Sequence, residues 1–165
     1  MSNIQSHMTR SRKRQHKHKT HTQRFPKRYT SGLSAKDRAK QLKSLRKSKK
    51  NYRTKRGSQR YVTRPKLKSF KDKKSSWTQT FHQKYPEAKT ISQIAKATGI
   101  PLKALKAVKK KGMGAYYSSG SRPNQTAESW GLARMYSYIL GGPTRKIDKH
   151  ITKEYSVKFK HRSNI

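Results

Sequence analysis

The apolar residues of this 165-residue chain fall into short periodic runs from Leu33 onward and scarcely recur before it. Ala35, Ala39, Leu42 and Leu45 follow one another at steps of three and four, behind Ser34 and with Asp37 in the first turn. That is an N-cap, an acid at the positive end of the helix dipole, and in Leu33 a hydrophobic staple. The spacing predicts a basic helix from about Ala35 to Lys50, with a stripe so narrow that it needs a docking surface or an anionic partner. From Tyr52 to Phe70, Tyr, Val, Thr and Leu alternate with Arg and Lys, and Pro65 blocks a helix, so this stretch reads as extended.

Denser patterns follow. Trp77, Phe81 and Tyr85 stand four apart and give a short helix an aromatic face, which Pro86 ends. Such a face could stack bases, but core packing is its commoner use. Thr90 with Gln93 forms a capping box, Ile91, Ile94 and Ala95 make an apolar face, Gly99 supplies a left-handed exit, and Pro101 opens a helix bearing Leu102, Leu105 and Val108. This unit resembles a helix-turn-helix corner. Lys111 to Thr126 is rich in Gly, Ser, Pro and Asn and reads as an ordered loop anchored by Tyr116 and Tyr117; its glycines match neither a Walker loop nor a dinucleotide fingerprint. Thr126, with Glu128 in the first turn, starts a helix carrying Trp130, Ala133, Met135, Tyr136, Ile139 and Leu140, which Gly141-Gly142-Pro143 stops. A shorter turn from Thr144 to Ile151 and a basic tail complete the chain.

The expected class is mainly α: a small helical domain with a helix-turn-helix-like corner, a long extended basic N-terminal arm and a short C-terminal tail. The boundaries drawn from pattern are 1–32 for the arm, 33–74 for the basic helix and extended segment, 75–152 for the helical domain and 153–165 for the tail.

Charge sharpens this picture. There are 44 Lys and Arg against six Asp and Glu, a formal net charge of +38, and only 29% of residues are hydrophobic. A chain this basic repels itself, which points to a polyanionic or acidic partner, and its apolar fraction lies below the roughly 45–50% of globular domains. Residues 1–80 carry 27 of the cations against Asp37 and Asp72. The absence of cysteine rules out disulfides and thiolate metal sites and fits an intracellular or intravirion setting. No apolar run reaches the roughly 18–20 residues of a membrane span, and the N-terminus has no signal-peptide core, so the chain is expected neither to span a membrane nor to be secreted by that route.

The candidate polyanion or acidic-partner contacts form three clusters. Arg10, Arg12, Lys13, Arg14, Lys17, Lys19, Arg24, Lys27 and Arg28 belong to the arm; Lys36, Arg38, Lys40, Lys43, Arg46 and Lys47 to the basic helix; Lys103, Lys106, Lys109, Lys110 and Lys111 to the corner's second helix. That second helix has few Asn, Gln or Arg residues to read base edges, so DNA contact there would be electrostatic. The candidate packing or interface anchors are Trp77, Phe81, Tyr116, Tyr117, Arg122, Trp130 and Tyr136. His16, His18 and His21 lack nearby carboxylates and read as proton-dependent charge rather than metal ligands.

Catalysis has little to build on. Asp148, His150 and Glu154 are the best acid-base cluster, and Ser118, Ser119 and Ser121 have no nucleophile elbow around them. Metal-dependent phosphodiester cleavage needs clustered carboxylates, whereas the six acids here are scattered. No enzyme activity, no cofactor and no small-molecule substrate is expected; Asp148 reads as a partner for Arg145 or Lys149, or as a helix-end charge.

Two blocks carry a resemblance. Arg28-Tyr29-Thr30-Ser31-Gly32-Leu33-Ser34, continuing through the basic helix to Arg64-Pro65-Lys66-Leu67-Lys68-Ser69-Phe70, is the first; Lys111 to Thr126, with Ser129-Trp130-Gly131 and Ala133-Arg134, is the second. Both resemble blocks of an uncharacterised basic protein family of nucleocytoplasmic large DNA viruses, the phycodnavirus and giant-virus group. The resemblance implies a component of a large icosahedral virus particle and brings no catalytic residues. With the charge, it leads to the expectation of a minor capsid protein on the inner side of the shell. Its arm would run between major and other minor capsid proteins or toward DNA or an anionic inner membrane. The alternative from the same charge is a genome-condensing DNA-binding protein.

Overall fold

The computed structural model describes residues 24–163, and within them the chain is all-helical, with seven α-helices and no strand. Before the first helix, a 3-10 turn at Lys27–Tyr29 tucks Tyr29 into the interior. Helix α1, Ala35–Thr54, begins where the sequence places it: Ser34 Oγ accepts from the Asp37 N–H at 3.3 Å, and Leu33 is buried beside the cap. It runs one turn beyond the expected Lys50, so residues 52–54, expected to be extended, are helical, and a 3-10 turn at Gly57–Arg60 interrupts the rest of that stretch. Helix α2, Ser76–Lys84, presents Phe81 inward and ends before Pro86.

The corner forms as read. Helix α3, Ile91–Thr98, has the reciprocal Thr90/Gln93 capping box and exits through Gly99 at φ 74°. The left-handed backbone there suits glycine. Helix α4, Leu102–Ser118, follows, and helix α5, Ala127–Ile139, starts from a Thr126/Ser129 box. Two short helices, α6 (Thr144–Ile147) and α7 (Lys149–Glu154), close the body.

The α4–α5 pair is the centre of the molecule, with α2, α3, α6 and α7 packed around it. Leu105 and Val108 of α4 meet Met135, Tyr136, Tyr138 and Ile139 of α5, and Phe81, Ile94, Ile100 and Ile151 complete one buried cluster. Phe81 stacks on Tyr136 with ring centroids 4.2 Å apart. Tyr138 is fully buried, yet its hydroxyl is paired with Thr152 Oγ1 at 2.8 Å, as a buried phenol requires.

Four boundaries differ from the sequence reading, the first being the end of the arm: Tyr29, placed in it, is 5% exposed and belongs to the body. Residues 111–118 are not loop: α4 continues through Gly112 and Gly114, and at Gly112 it lies so close to α5 that a Cβ would strike the Gly131 backbone. The compact body does not begin at Ser75 either, since α1 docks on α4 and both Leu45 and Leu67 are 1% exposed. Much of this docking is polar. Gln41 Nε2 donates to the carbonyls of Tyr29 and Ser121, each at 3.3 Å, and Ser48 Oγ donates to the Tyr117 carbonyl at 3.0 Å. Across residues 61–74, Asn124 exchanges two hydrogen bonds with the Leu67 backbone (2.8 and 3.1 Å), and Asp37 Oδ2 accepts from Ser69 N and Oγ (3.1 and 2.7 Å). Finally, the tail is not free: Val157 is buried, Phe159 packs on the core, and the Arg145 guanidinium donates to the carbonyls of Tyr138, Ile139 and His161. One arginine thereby satisfies carbonyls at the end of α5 and fastens the tail across it.

Candidate polyanion-binding surface

Each exposed cation of α1 is placed by the helix's polar docking. With Asp37, Gln41, Ser44, Leu45 and Ser48 turned inward, Lys36, Lys40, Lys43, Lys47 and Lys50 succeed one another at steps of four and three on the exposed surface. They form one stripe about 21 Å long at 1.5 Å per residue. Arg38 and Arg46 are also exposed, outside that stripe. The nearest acid, Asp37, is buried and spoken for: Ser69's hydroxyl and N–H lower its pKa, and Lys40 reaches it only at 3.8 Å.

The corner supplies a second basic surface. Lys103, Lys106, Lys110 and Lys111 are exposed on α4. Lys109 departs from the expected set, being half-buried and ion-paired with Glu128 of α5, so it serves the helix interface rather than a ligand. Of the arm, Arg24, Lys27 and Arg28 are exposed, while Arg10, Arg12, Lys13, Arg14, Lys17 and Lys19 lie outside the described residues.

The aromatic anchors face largely inward. Phe81, Tyr116 and Tyr136 are buried, and Trp77, Tyr117 and Trp130 are partly so. Tyr116 lies under the Arg64 guanidinium, 3.9 Å from its ring centroid, and its hydroxyl donates to the Gln125 carbonyl at 2.9 Å. Arg64 in turn donates to the Tyr116 carbonyl and to Ser121 Oγ, so this arginine and Ser48 together cap the C-terminal end of α4. Burial pulls the Arg64 pKa down and pushes that of the Tyr116 phenol up. Neither Arg64 nor Gln41 stood out in the sequence, because nothing local marks a residue whose partner is a distant carbonyl. Arg122 is exposed.

The acid-base trio does not assemble as a working group. Asp148, at 1% exposure, takes both of its oxygens to Arg134, 2.8 Å from Nε and 2.8 Å from Nη2, and not to Arg145 or Lys149. His150 and Glu154 are exposed. Arg145 is occupied instead by backbone carbonyls and by the Phe159 ring, 3.7 Å away.

Fold and surface together define a small protein, all-helical over its described residues, that hides or pairs three of its six acids, Asp37, Glu128 and Asp148, and displays rows of cations. Residues 26–156 match a family of unknown function, DUF5824, and the chain belongs to that family. No curated protein and no solved structure matches it. No helix among the described residues is long and apolar enough to cross a membrane.

Proposed function

We propose that this is a non-catalytic structural protein that works by laying its cationic faces on a polyanion or acidic protein surface, and that its setting is a large DNA virus particle. There it acts as a minor capsid protein on the inner side of the shell, bound to the major and other minor capsid proteins. The observation that carries the binding chemistry is the α1 stripe of Lys36, Lys40, Lys43, Lys47 and Lys50, exposed on a helix whose opposite side is fixed to α4. Because the helix that carries this row is already folded and docked, a partner need not order its backbone, which favours association. The viral setting rests on the resemblance of the two sequence blocks.

A second reading, a genome-condensing DNA-binding protein, has its own support. Phe81, Tyr116 and Tyr136 fill the interior, so what they leave on the surface is charge, the currency of phosphate contacts. Fractionating purified particles under graded salt and detergent, with the chain followed by mass spectrometry, separates the two. Retention with the major capsid protein after genome removal supports the shell component. Release with DNA in moderate salt supports genome condensation and overturns the shell reading, and absence from particles overturns both.

A further inference from the structure

The chain has two tryptophans, Trp77 and Trp130, and both line one cavity of about 590 Å3. It opens between the start of α2, the C-terminal end of α4, the middle of α5 and the Pro143–Thr144 turn, with Arg28 and Tyr29 contributing from the first turn of the described chain. Its size falls within the roughly 300–1,000 Å3 of small-molecule sites.

The lining has one sign of charge. Arg28, Lys73, Arg122 and Arg134 contribute to it, and among the described residues no carboxylate does. Arg134 is neutralised by Asp148 from behind, but Arg28, Lys73 and Arg122 are ion-paired with nothing among the described residues. Three like charges around one concavity repel one another, and an anion placed between them relieves that repulsion. Ser137 and Thr144 also line the cavity and add hydroxyls to its wall. The wall depends on Gly142, where a Cβ would come within 2.6 Å of the Trp77 ring and 2.5 Å of Ser137 Oγ. Trp130 is held edge-on by Tyr29, with ring centroids 6.0 Å apart.

Cations, hydroxyls and two indoles around one concavity match a ligand that is anionic at one end and planar at the other. We propose that this cavity binds a nucleoside phosphate unit, its phosphate held by Arg28, Lys73 and Arg122 and its base set against Trp77 or Trp130. Guanidinium groups grip phosphate bidentately, and bases stack on aromatic faces with little regard to sequence. A duplex keeps its bases in its own stack, so the unit comes from a free nucleotide or from an unpaired strand. This goes beyond the α1 stripe, which offers contacts to phosphate alone.

Because both tryptophans stand at the cavity, intrinsic fluorescence of the full chain reports its occupancy. The titrants are adenosine monophosphate, a short single-stranded oligonucleotide, the matching duplex and inorganic phosphate, all at constant ionic strength. Saturable quenching by the monophosphate or the single strand, and not by duplex or phosphate, is the expected result; which of the two binds more tightly identifies the source. The variant Lys73→Gln/Arg122→Gln, altered at two exposed side chains, should raise the half-quenching concentration roughly tenfold, whereas Lys43→Gln/Arg46→Gln on α1 should leave quenching by the monophosphate unchanged. No saturable quenching by either nucleotide ligand, equal quenching by inorganic phosphate or duplex, or an unaltered Lys73→Gln/Arg122→Gln titration would each overturn the proposal. Loss of polyanion binding in the α1 variant with quenching intact would bear on the stripe and leave the cavity standing.

Discussion

Gly112 of α4 and Gly131 of α5 bring the two central helices into backbone contact: a Cβ on Gly112 would come 2.7 Å from the Gly131 Cα, and one on Gly131 would come 2.8 Å from the Lys109 carbonyl oxygen and 2.9 Å from Met113 Cγ. Two of the obstructing atoms belong to backbone, so neither helix can make room by turning a side chain. The alternative is to move the helices apart, which would loosen the cluster that Leu105, Val108, Met135 and Ile139 build between them.

Gly131→Ala is therefore expected to destabilise the protein by about 1–3 kcal/mol, the usual range for overpacking, despite alanine's higher helix propensity. Gly114→Ala is the control, since the Cβ there meets only the Tyr52 hydroxyl at 3.1 Å. Urea melts of the two variants check this; a stabilised Gly131→Ala would mean that the helices can separate without cost.

The Arg134–Asp148 pair gives an asymmetric expectation. Arg134→Met strands a carboxylate that is 1% exposed and should cost about 3–5 kcal/mol. Asp148→Asn should cost less, because the Arg134 side chain is 21% exposed and its charge can reach water. Arg134→Met/Asp148→Leu should recover part of the loss, and equal destabilisation by the two single variants would contradict this account.

His161 is expected to make stability depend on pH below about 6.5. Burial, and then the charges of Lys84, Arg145 and Lys160, lower its pKa, while its Nε2 is paired with the Tyr85 hydroxyl at 2.7 Å. With the folded value below the ordinary 6.5, the unfolded chain binds the proton more readily. The stabilisation is thus complete above the unfolded pKa and is lost as pH falls through it toward the folded value. His161→Gln should flatten that part of the curve. Melting temperatures at about pH 5 and about pH 8 for both proteins test it; an unchanged slope would remove His161 as the cause.

If the α1 stripe engages nucleic acid, the salt dependence should report it. Lys40→Gln/Lys43→Gln/Lys47→Gln removes three exposed cations of the stripe. Each lost phosphate contact lowers the log–log slope by about 0.9, so the magnitude of the slope should fall by about 2 to 3. An unaltered slope would place the phosphate contacts elsewhere on the chain.

What the sequence determined by itself is what neighbouring residues decide between them. Ser34, Thr90 and Thr126 cap their own helices, Gly99 turns its own corner, and Pro86 ends its own helix, so each was legible within a few residues. The mainly α class and the sparing use of apolar residues follow from the same local record. Tertiary structure alone decided the meaning of Gly112, read as loop because glycine is a poor helix former, and required in the helix because Gly131 lies against it. It also decided that residues 33–74 join the body. Their thin apolar stripe could not choose between a docking surface and an anionic partner, and Gln41, Ser48 and Arg64 attach them through carbonyls that become acceptors only once α4 has ended nearby. Asp148 shows the same limit: two arginines lie within reach along the chain, and helix geometry gives it the one fourteen residues away while backbone carbonyls take the other. Caps and turns are bonds between near neighbours and can be read from a string of residues; a close approach of two helices, or a buried charge's partner, exists only after the chain has folded back on itself.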